Sequence, residues 1–216
     1  MTAEHKMHAL YEYALRVHGG DSSGHGMDHI DRVRANAQAL LQETPAAPAD
    51  IVMAAATLHD TYDDKLVPDV AAARAQTERV LLDSGFSAAE ATAILTIIDQ
   101  MSFHYGLDHE VHLTLAGQLV QDADRLDAIG AIGIARAFAY GGAHGRPLAS
   151  KEAPQSHMTG AQYRQEKSGT ISHFHEKLLG LADTLNTPAA RKIGAQRTQV
   201  MRDFLAEFAA EQAGLR

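Results

Sequence analysis

Residues 49–60 read ADIVMAAATLHD. From Ile51 to Leu58 only Thr57 is polar. A helix that is apolar on every side has to be buried on every side. The segment therefore predicts the centre of a helical bundle. Its last two residues, His59 and Asp60, break the rule. A carboxylate at the end of the most apolar helix of the chain is costly to bury unless it is paired or coordinated.

Working outward, the flanking sequence is helical on both sides. Residues 2–18 carry Met7, Leu10, Tyr11, Ala14 and Val17 at helical spacing, and Gly19 to Gly24 ends that run. A second helix starts near Asp28 and carries Ile30, Val33, Ala37, Leu40 and Leu41 on one side. Thr44 to Pro48 is a turn. Downstream, residues 69–83 and 87–101 are amphipathic, separated by Asp83-Ser84-Gly85-Phe86, with Ser87 as N-cap. Residues 110–122 and 124–140 read as one long helical stretch around Asp124. Residues 141–160 lack periodicity and predict a long loop of the kind that often serves function. Ser168 or Thr170 caps a helix to Leu185, and Thr187-Pro188 opens a last helix that reaches about Ala213. Val, Ile and Thr never alternate over a strand length, so no sheet is expected. The expectation is all-α: one helical-bundle domain over residues 1–216, its core at about 20–140, with C-terminal helices at about 160–213 packed on it.

The bulk properties narrow the function. The chain has 216 residues, 45% hydrophobic and 21% charged, which fits a globular protein with a sizeable core. With 19 Lys and Arg against 27 Asp and Glu, the formal charge is −8, a poor match to a nucleic-acid backbone. A small anion remains open, because local cations override a global field. Cysteine is absent, which excludes disulfides, thiolate metal sites and thiol nucleophiles. No run approaches the ~20 apolar residues of a membrane span, and no signal peptide is evident. The expected place is the cytoplasm. P-loop, GxGxxG, GxSxG and HExxH patterns are all missing.

Two further residues join His59 and Asp60: His29 in GHGMDHIDRV and Asp124 in QDADRLDAIG. Two imidazoles and two carboxylates without sulfur suit a hard or borderline divalent cation. Taken singly, each has a plain alternative: a hydrogen-bonded core histidine, a helix-end aspartate, a cap. In order, however, HGMDHIDRV, LHDTYDDK, QDADRLDAIGAIGIAR and SGTISHFHEKLLGLADTLNTPAAR resemble the HD-domain superfamily of metal-dependent phosphohydrolases. More narrowly, they resemble a bacterial branch similar to HD-type nucleotide pyrophosphohydrolases, and the likeness spans roughly residues 5–210.

The resemblance implies an all-α fold. It also implies one divalent metal ion (Mn, Co, Ni, Fe, Mg or Zn) held by His29, His59, Asp60 and Asp124. Four protein ligands on a six-coordinate ion leave two positions for water and phosphate. It implies hydrolysis of a small phosphorylated substrate, a nucleotide, with triphosphate cleaved to monophosphate and pyrophosphate. Monophosphatase, phosphodiesterase and non-catalytic metal- and nucleotide-sensing alternatives stay open. Asp63 follows His59 by four positions and would share its face if the helix continued, so it is the candidate to orient or deprotonate water, beside Asp60. Lys65, Lys177 and His25 are the candidate substrate contacts, with Arg146 and Lys151 on the loop behind them. Arg32 is expected to be a structural ion-pair partner. An apolar stripe on the last helix would suit a homodimer.

Overall fold

The computed structural model describes residues 2–20, 26–64, 66–101, 112–150 and 169–215. Every regular element among them is helical, as the periodicity predicts. The chain divides into two compact units, Met1–Asp124 and Arg125–Arg216.

The first unit is built on α3 (Ala49–Leu58), whose Val52, Ala54, Ala55, Ala56, Thr57 and Leu58 are all buried. Around it pack α1 (Ala3–His18), α2 (Met27–Gln42) and α5 (Ala88–Met101). Next to α5 and α1 lies α4 (Val70–Asp83). Local chemistry fixes the ends. Thr2 and Asp69 accept from the backbone N–H groups of His5 and Ala72 at the starts of α1 and α4. Ser87 and Glu90 cap α5 reciprocally: Ser87 N–H donates to Glu90 Oε2 at 2.7 Å, and Glu90 N–H to Ser87 Oγ at 3.3 Å. The Ser87 N–H and hydroxyl, both donating to Glu90 Oε2, hold the Glu90 carboxyl below its usual range.

Within α6 (Leu115–Asp127), side-chain amides fix the position of the helix. Asn36 of α2 donates to the Ala123 carbonyl at 3.0 Å, and Gln121 donates to the Met101 carbonyl at 2.9 Å. Each amide satisfies a backbone acceptor from another segment, so the helix is pinned close to α2, where His29 lies.

In the second unit α7 (Gly130–Ala143) packs on α9 (Pro188–Gln212), while α8 (Thr170–Glu176) packs on α7 and on a 3-10 helix, Leu178–Thr184. Phe138, Phe174 and Phe204 meet there at centroid distances of 5.8–6.1 Å. Thr187 caps α9 through the Ala190 N–H and Pro188 follows it, the start expected from sequence.

Three expectations need correction. The helix over 49–60 ends at Leu58, because the Thr61 hydroxyl and N–H both bond the Leu58 carbonyl, at 2.7 and 3.0 Å. The stretch around Asp124 is not continuous. Helix begins at Leu115 and breaks at Ile129, which is extended, and at Gly130, which takes φ +77°. Nor does the helix after Gly169 run to Leu185. It breaks at Lys177 into the 3-10 turn, where Leu178 and Leu181, three apart, share a buried face. Residues 151–160 of the expected loop, and Ser168, lie outside the described residues.

Gly130 is needed for its conformation and for space: a Cβ there would lie 3.0 Å from Arg197 Cβ. Gly130→Ala should destabilise the fold by about 1–3 kcal/mol. A lowered midpoint in urea denaturation would show this, and an unchanged midpoint would contradict it.

Candidate metal centre

Three segments of the first unit bring donor atoms together. His29 sits in the first turn of α2 and is 1% exposed. One residue before it, Asp28 pairs with Arg32 at 2.7 Å, so Arg32 is the structural partner expected from sequence. That guanidinium holds the Asp28 carboxyl below its usual range.

His59 follows the last residue of α3 and turns its ring back on that helix, with Nδ1 3.0 Å from the Ala56 carbonyl. A carbonyl can only accept, so Nδ1 carries the proton. In the neutral ring Nε2 then presents a lone pair. It faces His29 Nε2 at 3.1 Å, with the rings edge to face.

The carboxylates close in on this pair. Asp60 places Oδ2 3.5 Å from His29 Nε2 and Oδ1 3.4 Å from His59 Nε2. Asp124, in the last turn of α6, places Oδ1 3.6 and 3.8 Å from the same nitrogens. His29, His59 and Asp124 each offer one donor atom, and all three atoms lie within 4.8 Å of one another.

These spacings fit one ion. Donors about 2.1 Å from a common centre stand about 3.0 Å apart at a right angle and about 3.4 Å at the tetrahedral angle. The donor set also fits, being imidazole and carboxylate without sulfur. Accessibility is one-sided. The imidazoles are buried, whereas the Asp124 side chain is 36% exposed. A site of this kind can hold an ion and admit a ligand from the exposed side.

The other candidates distribute unevenly. Asp63 is half-buried in the turn after Asp60, its N–H donating to the Asp60 carbonyl at 3.2 Å. The helical premise for placing it on the face of His59 therefore does not hold, because α3 has already ended. His25, Lys65 and Lys151 lie outside the described residues. Arg125 donates to the Thr184 carbonyl at 2.5 Å, a helix-end contact.

Lys177 belongs to the second unit, at the break after α8. It stands with Arg146 close enough to His173 that, after burial, their charges are the next causes of a low pKa, about 3. Spacing alone does not place His173. Sequence also missed Tyr62, whose hydroxyl donates to Asp99 at 3.0 Å, and Arg74, which grips the same carboxylate. Those partners lie 37 and 25 positions from Asp99, beyond any local signal.

No family model matches the chain. Individual proteins do. A Lactobacillus plantarum protein of solved structure is 42% identical, with a TM-score of 0.88, over 99% of this chain and 100% of its own. YpgQ of Bacillus subtilis is 37% identical over 196 residues, 90% of this chain and 88% of its own length. Its crystal structure in complex with ADP superimposes with a TM-score of 0.78 at 31% identity, covering 98% and 97%. An HD-superfamily hydrolase from Bacillus thuringiensis is 34% identical, with a TM-score of 0.76, covering 98% and 99%.

The depressed pKa of His173 has a sign that can be tested. Between about pH 3 and its unfolded value of 6.5 the unfolded chain binds the extra proton, so stability falls as pH falls through that window. The slope is at most about 1.4 kcal/mol per pH unit. His173→Gln should flatten the dependence of melting temperature on pH between 6 and 4 relative to wild type. Parallel curves would contradict it.

Proposed function

We propose that this protein hydrolyses nucleoside triphosphates to monophosphate and pyrophosphate, and the premise is its family: the chain belongs to the HD superfamily of metal-dependent phosphohydrolases. The observation that carries the reading is the tight His29–His59–Asp124 group, buried on one side and open on the other. The complex of YpgQ with ADP supports a nucleotide as the guest.

In this reading His29, His59, Asp60 and Asp124 hold one divalent cation, with Mn, Co, Ni, Fe, Mg or Zn compatible with the donors. A cation there lowers the pKa of water and neutralises phosphate charge. The remaining work falls to side chains. The Ala56 carbonyl fixes the tautomer of the neutral His59 ring, so that Nε2 faces the site with its lone pair. Asp63, a short turn beyond Asp60, takes or orients the proton of the attacking water. His25 and Lys65, four and five positions from His29 and Asp60 in the sequence, are the candidates for contacting phosphate. Water adds to the α-phosphorus, the bond from that phosphorus to the oxygen bridging to the β-phosphate breaks, and pyrophosphate leaves.

The test is turnover of a panel of ribo- and deoxyribonucleoside triphosphates with added Mn²⁺ or Co²⁺, assaying orthophosphate and pyrophosphate separately. Pyrophosphate release that stops with a chelator and returns with metal is the expected result. Orthophosphate alone would replace this chemistry with that of a phosphatase, and tight nucleotide binding without turnover would point to a sensor. Asp63→Asn should lower kcat by about 10²–10⁴-fold while the bound metal stays unchanged. Retained kcat would remove Asp63 from the reaction.

A further inference from the structure

The segment that links α3 to α4 bears Asp60 and Asp63, and two anchors hold it within the first unit. One is a chain of buried hydroxyls. Tyr13 Oη lies 3.2 Å from Thr77 Oγ1, Thr77 Oγ1 lies 3.2 Å from Thr61 Oγ1, and the Thr61 hydroxyl donates to the Leu58 carbonyl at 2.7 Å. Thr61 gives its proton to the Leu58 carbonyl, and the Thr77 hydroxyl also lies 3.0 Å from the Ala73 carbonyl, so the Thr77 proton is shared between that carbonyl and Thr61 Oγ1. The second anchor is charged. Tyr62 is 7% exposed, and its hydroxyl donates to Asp99 Oδ1 at 3.0 Å. Arg74 grips the same carboxylate through two nitrogens, Nε at 3.1 Å from both oxygens and Nη2 at 2.7 Å from Oδ2.

The two anchors act on consecutive residues, Thr61 and Tyr62. They lie between Asp60, whose oxygens approach the two imidazoles, and Asp63. Thr61 already accounts for the end of α3. Tyr62 plays no part in ending that helix. Its phenol reaches from the turn to Asp99 on α5, and Asp99 is itself fixed by Arg74 on α4. A bidentate arginine–carboxylate pair is a rigid platform. A phenol bonded to it fixes the backbone two residues past Asp60.

We propose that Tyr62, seated on the Asp99–Arg74 pair, is a positioning residue for the metal centre that sets where the Asp60 carboxylate stands against His29 and His59. The inference rests on reading those residues as metal ligands. Asp60 follows the end of the helix and meets the two imidazoles through different oxygens. A small rotation of the turn would remove one of those approaches.

The experiment is titration of the metal-free protein with Co²⁺, read by visible d–d absorbance and calorimetry. Tyr62→Phe keeps the ring and deletes only the hydroxyl. Asp99→Asn disturbs the same anchor from the other side. Leu40→Ala, in the last turn of α2, removes buried core far along the helix from His29 and serves as the stability control. Tyr62→Phe should bind Co²⁺ about tenfold more weakly, with an altered d–d spectrum. Asp99→Asn should do the same, and the double variant should be no worse than the single ones. Leu40→Ala should bind as wild type does, even with a lower melting temperature.

Wild-type affinity and spectrum in Tyr62→Phe would overturn the positioning role and leave the metal site standing. So would equal weakening in Leu40→Ala, because the effect would then be one of general stability. Failure of the wild type to bind Co²⁺ would overturn the metal reading and this inference with it.

Discussion

Two imidazole nitrogens, His29 Nε2 and His59 Nε2, stand 3.1 Å apart in a buried corner of the first unit. The Nδ1 proton of His59 is committed to the Ala56 carbonyl, so its Nε2 brings a lone pair to the encounter. Two carboxylates face the same point. Electron-rich groups gathered this closely repel one another unless a shared proton or a cation lies among them. That constraint links the fold to the chemistry, because three distant segments must be held in register for the charge to be shared.

The fold meets this demand through the apolar centre of the unit. α3 is surrounded by α1, α2 and α5, and its C-terminal end delivers His59 and Asp60. Side-chain amides from Asn36 and Gln121 fix α6, which bears Asp124. Packing supplies the scaffold, and a few directed bonds set the final placement. Hydrophobic burial is non-directional, so it cannot aim a carboxylate unaided.

Much of this was legible in the sequence, for physical reasons. An eight-residue run with one polar member and three consecutive alanines reads as an interior helix among helices, and α3 is one. Ser87 with Glu90, and Thr187 with Pro188, are local pairs whose chemistry declares a helix start. The chemical types of His29, His59, Asp60 and Asp124 point to an ion without any distance, and the likeness to HD-family sequences gives their order meaning.

What stayed hidden depends on partners far away in the chain. The break at Ile129–Gly130 follows from backbone conformation and from the Arg197 side chain beside it. The end of α3 follows from the Thr61 hydroxyl, which in the sequence is one threonine among many. The bonds of Tyr62 to Asp99 and of Arg74 to Asp99 join a turn and two helices, and no spacing rule reaches across them. The most direct measurement is anomalous scattering from crystals soaked in Mn²⁺. The account predicts one peak within bonding distance of His29 Nε2, His59 Nε2, Asp60 and Asp124. Crystals with manganese bound elsewhere and none among those side chains would contradict it.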